Sequence, residues 1–233
     1  METLRIHYTR EGRMRFLSHL EMVRLVERAF RRTDVPMKFS EGFNPHPRYN
    51  FAMPLSVGVS SDAGYIDVDL TEKIDIDSFL KTQKKYLPTG LDFKRAKYVT
   101  GASSLMSHVS AAEYLIEFSL NEEVDVKDHV ASLLALEDML FEKKKKKGRR
   151  VKVRTINLRP MIYKLQPVVT EGKRVILRVL LAAGAAGGLK PALLMDQWAK
   201  LTALPVDLDT VRIHRLSLLG DVDGQQKDVY EIL

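Results

Sequence analysis

Gly64-Tyr65-Ile66-Asp67-Val68-Asp69-Leu70 alternates apolar and polar residues, the period of two that a strand with one buried face requires. Upstream, Leu4 to Thr9 alternates in the same way, Glu11-Gly12 marks a turn, and Met14-Arg15-Phe16 resumes the pattern, so Leu4 to Leu17 reads as a strand or hairpin. Between these stretches, Ser18-His19-Leu20-Glu21 has the Ser-x-x-Glu spacing of a capping box. Leu20, Val23, Val26, Ala29 and Phe30 then recur at helical spacing until shortly before Pro36. Downstream, Ile76 to Tyr86 reads as a helix closed by Pro88 and Gly90, and Leu91 to Val99 as a strand, with room for another strand near Phe51 to Val59. This order predicts a split βαβ, ferredoxin-like unit over residues 1–100.

Residues 100–110 form a polar Gly/Ser stretch without periodicity, the composition of a linker. Beyond it, Ala112 to Leu120 reads as a strand, Val124 to Leu136 as a helix, and Val151 to Val169 as one or two strands. Arg174 to Leu181 reads as a further strand, Lys190 to Leu201 as a helix and Thr210 to Leu218 as a strand. The order of the first half returns without visible sequence repetition. The expectation is an α+β protein of two tandem ferredoxin-like domains, 1–100 and 111–233, the first carrying a basic helix and the second a basic hairpin.

The composition excludes several classes of function. With no cysteine among 233 residues there is no disulfide, no thiolate-held iron–sulfur cluster and no Cys-type zinc site. The first residues interleave cations with apolar side chains and lack the apolar core of a signal peptide. The longest apolar stretch, Val175 to Leu189, is cut by Arg178, Gly184, Gly187 and Gly188 and falls short of the ~20 residues of a membrane span. A cytoplasmic protein without a membrane partner is expected. The net charge of +7 and a pI near 9.5 favour polyanionic partners, because phosphates attract clustered cations and release counterions on binding.

The cations are concentrated. Nine of the twelve residues from Lys143 to Arg154 are Lys or Arg, and no acidic residue occurs from Lys143 through Thr170. Gly148 stands where a hairpin tip would turn, so Lys144, Lys145, Lys146, Arg149 and Arg150 read as a basic finger for a phosphate backbone, or else as a solvated loop. In the first helix, Arg24, Arg28, Arg31 and Arg32 fall within roughly 100° of one another at 3.6 residues per turn. Arg13 and Arg15 would extend that stripe, while Glu21 and Glu27 could compensate it.

Ser40-Glu41-Gly42-Phe43-Asn44-Pro45-His46-Pro47-Arg48 brackets a histidine with prolines, which fix the neighbouring backbone and would hold the imidazole in place. Gly42 allows a sharp turn, and Ser40 and Asn44 bond backbone groups readily. Such a loop suits phosphate binding, proton transfer or a purely architectural connection. His19 begins the first helix, where the dipole disfavours imidazolium, so His19 and His46 are the candidates for acid–base work. Arg32-Thr33-Asp34 resembles the start of the Arg-Thr-Asp motif of pseudouridine synthases, but Val-Pro-Met follows in place of that family's continuation. Ala182 to Pro191 is glycine-rich yet lacks both nucleotide-binding patterns, and no HExxH, GxSxG or metal-spaced carboxylate cluster occurs. No cofactor or metal is expected.

Phe16 to Arg32, FLSHLEMVRLVERAFRR, followed by SEGFNPHPRYNFAMPLSVGVSS from Ser40, resembles the radical SAM-linked, or radical SAM-associated, protein family of unknown function. The likeness spans roughly residues 3–70 and continues through Leu158-Arg159-Pro160, where Asn157 stands in place of an acidic residue, and Leu189-Lys190-Pro191. Members stand alone or form the carboxyl-terminal part of cobalamin-binding radical SAM proteins. The resemblance implies a non-catalytic accessory module that holds RNA, or a ribosomal protein, for a radical SAM enzyme in tRNA or rRNA modification. Two other readings stay open. One is a metal-independent endoribonuclease of the tandem ferredoxin-like type, with His19 or His46 and Gly184 to Gly188 in its site; the other is a protein-only scaffold.

Overall fold

The computed structural model describes residues 2–100, 104–147, 150–185 and 187–232, with backbone alone for 145–147 and 150. The first elements are β1 (Glu2–Arg10), α1 (His19–Arg32), β2 (Tyr49–Ala52), β3 (Ser60–Leu70), α2 (Ile76–Tyr86) and β4 (Leu91–Val99). A short α3 (Leu105–His108), β5 (Ala111–Leu120), α4 (Val126–Leu134), β6 (Leu140–Lys147) and β7 (Arg150–Asn157) follow. The chain ends with β8 (Ile162–Glu171), β9 (Arg174–Ala182), α5 (Pro191–Thr202), β10 (Val206–Val222) and β11 (Gln225–Asp228). The protein is mixed α/β, with a large sheet and few helices.

The chain divides into two compact units, Met1–Ala112 with His214–Leu233, and Glu113–Ile213. In the first, β1 pairs antiparallel with both β3 and β4, and β2 pairs antiparallel with β3, giving the order β4-β1-β3-β2. The alternation in the sequence sets the faces. Leu4, Ile6 and Tyr8 of β1 and Ile66, Val68 and Leu70 of β3 are buried with Met22, Val26 and Phe30 of α1 and Phe79 of α2. Burying such side chains stabilises by about 1.5–3 kcal/mol each, so this seam, and not helix propensity, holds α1 in place. Gly64 is required where it stands, because a Cβ there would run into the ring of Tyr8.

One expected strand is replaced. After β1 the chain forms a 3-10 turn over Gly12–Phe16 instead of the second limb of a hairpin. Gly12 takes a positive φ of 53°, Glu11 N donates to Gly90 O (2.7 Å), and buried Arg10 donates to the carbonyls of Arg15 (2.8 Å) and Ser56 (3.1 Å). Backbone held by an arginine and a neighbouring turn is not free to pair as a strand. Likewise β2 ends at Ala52, because Met53 turns with φ 44° and Pro54 follows. Within the stretch read as a linker, Gly101, Ala102 and Ser103 lie outside the described residues, while Leu105 is buried at the start of α3.

In the second unit the strand order is β10-β5-β9-β8, with β8 and β9 antiparallel. Tyr114, Ile116, Phe118 and Leu120 of β5 and Val175, Leu177, Val179 and Leu181 of β9 supply buried residues at a period of two. Trp198 of α5 is wholly buried and its indole donates to His129 O of α4 (3.3 Å). Between α4 and β8, β6 and β7 form a separate two-stranded ribbon.

Candidate nucleic-acid interface

The capping box expected at the start of α1 is present: Glu21 N donates to Ser18 Oγ (3.3 Å) and Ser18 N donates to Glu21 Oε2 (2.7 Å). The Ser18 hydrogen bonds hold the Glu21 carboxyl below its ordinary value. From this fixed end, α1 presents Arg24, Arg28 and Arg32 exposed, with no ion pair among the described residues. Arg31 is different, since its Nε and Nη2 both reach Glu27 Oε1 (3.0 and 2.8 Å) across one helical turn. Arg13 is exposed on the 3-10 turn, and the Arg15 guanidinium lies 4.8 Å over the exposed ring of Phe16.

The proline-bracketed segment is a small ladder closed by a tip. Met37 bridges Leu70 and Phe39 bridges Pro47. Ser40 N donates to His46 O (2.8 Å), His46 N donates to Ser40 Oγ (3.0 Å), and Arg48 N donates to Lys38 O (2.8 Å). Glu41, Gly42, Phe43, Asn44, Pro45 and His46 therefore project together, all exposed, with Gly42 at φ 121° and Phe43 fully in solvent. Arg48 is partly committed to the fold, its Nε pairing with Asp69 at 3.1 Å.

The base of this loop meets α1. The Arg31 guanidinium stands 5.8 Å over Phe39, which is 38% exposed. The Tyr49 hydroxyl is raised above its ordinary value by burial first, then by the charge of Glu27 and a hydrogen bond to it. Two side chains that sequence reasoning passed over, Phe39 and Tyr49, thus join the arginine edge to the loop. An aromatic beside a basic run is the only sequence sign of them. His19 stacks edge-on against Phe51 at 5.4 Å. Among the described residues no hydrogen bond or ring contact joins His19 to His46. The Arg32-Thr33-Asp34 resemblance finds the hydroxyl of Thr33 closing the end of α1 on Ala29 O and Phe30 O and accepting from the buried amide of Gln83.

A second set of cations lies in the other unit, on the β6–β7 ribbon. Lys143, Lys144, Lys152 and Arg154 are exposed. Arg149 lies outside the described residues, as do the side chains of Lys145, Lys146 and Arg150. Asn157 closes the base of the ribbon: its Oδ1 accepts from Met139 N (2.9 Å) and Arg159 N (3.0 Å), and its Nδ2 donates to Asp138 (2.6 Å). Arg159 is used within the fold, on Leu134 O and Ile162 O. In the glycine-rich segment, Leu189 N donates to Ala182 O, and Gly188 packs so close to Ala182 that a Cβ would not fit.

Sequence reasoning also missed a cluster on the sheet face of the first unit turned away from the helices. There His7 stacks on Tyr65 (5.2 Å), Arg95 lies 4.0 Å over Tyr230 and pairs with Glu231 (3.0 Å), and Tyr65 donates to Asp228 (2.9 Å). Among the described residues no group of three His, Asp or Glu side chains could hold a metal ion, and no helix is long and apolar enough to cross a membrane.

An α/β protein with an arginine-edged helix and a braced, aromatic-tipped loop is the class that this geometry defines. The chain belongs to DUF2344, a family described as uncharacterized proteins conserved in bacteria, whose pattern matches residues 3–191. No curated protein matches the sequence. Among solved structures, the chain is similar to one in the Cbf5–Nop10–Gar1 complex, with a TM-score of 0.54 and 12% identity over 92% of this chain and 48% of that one. It is also similar to a chain of the archaeal box H/ACA sRNP Nop10–Cbf5 complex (TM-score 0.48, 11% identity, 91% and 46% covered). A third likeness is to an H/ACA RNP bound to a substrate RNA containing 2'-deoxyuridine (0.47, 11%, 91% and 46%). The chain spans about half the length of these proteins.

Proposed function

We propose that the chain is a non-catalytic RNA-binding module that presents RNA to a partner enzyme, of the radical SAM class by the resemblance described above. The observation that carries this reading is the arginine edge of α1, where Arg24 and Arg28 stand exposed with no ion pair among the described residues, on the helix whose Arg31 covers Phe39 at the base of the Phe43 loop. Exposed guanidinium groups take phosphates, and an exposed ring held by a rigid backbone takes a base by stacking. The scaffold we propose is a pair of ferredoxin-like units. It is supported by the order β4-β1-β3-β2 in one unit and by β10-β5-β9-β8 in the other, each with a helix following its first and third strands. A cysteine-free chain cannot ligate the cluster of a radical SAM enzyme, so the reaction would belong to the partner.

The test is titration of a labelled RNA by fluorescence anisotropy over a series of salt concentrations. Binding whose logarithm falls linearly with the logarithm of salt, and RNA recovered intact, is the expected result. RNA cleavage that disappears in His19→Ala or His46→Ala would replace this reading by the endoribonuclease. Absence of binding at low ionic strength would leave the protein-only scaffold.

A further inference from the structure

The register of the β6–β7 ribbon sorts its cations in a way that the run of lysines does not reveal. Lys143 pairs with Arg154, Lys145 with Lys152 and Lys147 with Arg150, whereas the alternate pairs are Lys144 with Val153 and Lys146 with Val151. Residues two apart on a strand share a face. One face of the ribbon therefore carries three directly opposed pairs of like charge, and the other carries two lysines opposed by valines.

Like charges directly opposite in an antiparallel pair destabilise it, and a two-stranded hairpin outside a larger sheet is marginal on its own. The sequence offers no relief, since no acidic residue occurs from Lys143 through Thr170. The acidic residue next in sequence, Glu142, is paired with Thr155 and so belongs to the opposite face. Lys143, Lys152 and Arg154 are exposed and form no ion pair among the described residues. A stack of opposed cations retained in a marginal ribbon is accounted for by a polyanion that neutralises it.

We propose that this face of the ribbon, represented by Lys143, Lys152 and Arg154, is the contact for a single RNA strand, whose phosphates run along the ribbon axis. The assignment rests on the RNA reading above and adds which cations touch phosphate. Charge and dimension both support a single file of phosphates. Successive cation pairs recur about every 6.8 Å along the ribbon, and the two rows are only about 4.8 Å apart, too close to straddle a groove. A membrane surface fits less well. The exposed apolar residues Leu140, Val151 and Val153 occupy the face opposite the opposed cations, so a ribbon seated through them would leave the repulsion unrelieved.

The experiment compares the full chain with two variants, Lys143→Ala/Lys152→Ala/Arg154→Ala on the proposed face and Lys144→Ala/Lys146→Ala on the other. The probe is a labelled single-stranded oligouridylate, titrated across salt. The first variant should lower the log–log salt slope by about two units, at roughly 0.7 per phosphate neutralised, and the second should leave it nearly unchanged. Without ligand, the melting temperature of the first variant should equal or exceed that of the parent, because repulsion is removed; a structural role for these cations would lower it. Equal slopes for the parent and the first variant, or an equal loss in both variants, overturn the assignment while RNA binding stands. No binding by the parent at low salt overturns the RNA reading itself. Two further outcomes also overturn the assignment: tighter binding of an RNA duplex than of the single strand, or capture by phosphatidylserine-containing vesicles, lost in the first variant, with the oligouridylate unbound.

Discussion

The Arg31 guanidinium lies 5.8 Å over the ring of Phe39 while two of its nitrogens hold Glu27. One side chain thus ties α1 to the base of the loop that carries Phe43 at its tip. Arg31 is over half exposed, so the ion pair by itself contributes little to stability. Its effect is positional, since it holds α1 against Phe39 at the base of the loop.

Phe43 and Arg28 should separate stacking from charge. Phe43→Ala is expected to weaken binding of single-stranded RNA by about 1–3 kcal/mol with an unchanged salt slope. Arg28→Ala should lower the slope by about 0.7 and weaken binding evenly across sequences. Salt-dependent titrations of the two variants distinguish these outcomes, and a slope change in Phe43→Ala would count against stacking.

The cap of α1 should be measurable directly. Ser18→Ala removes the acceptor for Glu21 N while keeping the residue 18 backbone N–H that donates to the Glu21 carboxylate, and it is expected to destabilise by about 1 kcal/mol in urea or thermal unfolding. RNA affinity should fall by no more than the fraction unfolded explains.

Gly64→Ala places a methyl group against the Tyr8 ring. Both residues lie on paired central strands, so neither can retreat without moving the sheet. A loss of about 1–3 kcal/mol is expected from chemical denaturation, as for overpacked cores. Tyr8→Leu in the same chain should recover part of it.

His7 gives a pH dependence of defined sign. Burial, followed by the charge of Arg95, holds its imidazole below the ordinary value, against the raising influence of the Asp62 carbonyl and of the Asp228 and Asp62 carboxylates. The unfolded chain therefore binds a proton at higher pH than the folded one. Stability attributable to His7 is intact above about 6.5, the unfolded value, and decreases as pH falls below it until the folded value is passed. His7→Gln should flatten the dependence of melting temperature on pH between about 7 and 5.

What the sequence discloses depends on how local the cause is. Ile76 to Tyr86 and Leu91 to Val99 are legible to the residue, because Pro88 and Gly90 close the one and separate it from the other. The guanidinium edge of α1 is legible too, since helical periodicity alone puts Arg24, Arg28 and Arg31 together. Met14 to Phe16 misleads, because what prevents a strand there is a guanidinium from Arg10 and a carbonyl from Gly90. Arg215 draws no notice in the sequence, yet it is buried and donates to Met53 O and Ala63 O, more than 150 positions away. For the candidate interface, the charged residues are conspicuous in the sequence. The rings of Phe39 and Tyr49, which bring helix and loop together, act through space and leave no spacing to read.

Arg215 also bears on the order of events during synthesis. The first unit needs residues His214–Leu233: Arg215 bonds the backbone at Met53 and Ala63, and Asp228 receives the Tyr65 hydroxyl. Everything between, Glu113–Ile213, emerges from the ribosome before that segment and forms a unit of its own. Closing the amino-terminal unit across that span is a late, long-range step, slowed by the entropy of joining distant segments. The part of the chain made first is thus the part completed last, and until Arg215 arrives the carbonyls of Met53 and Ala63 await their partner.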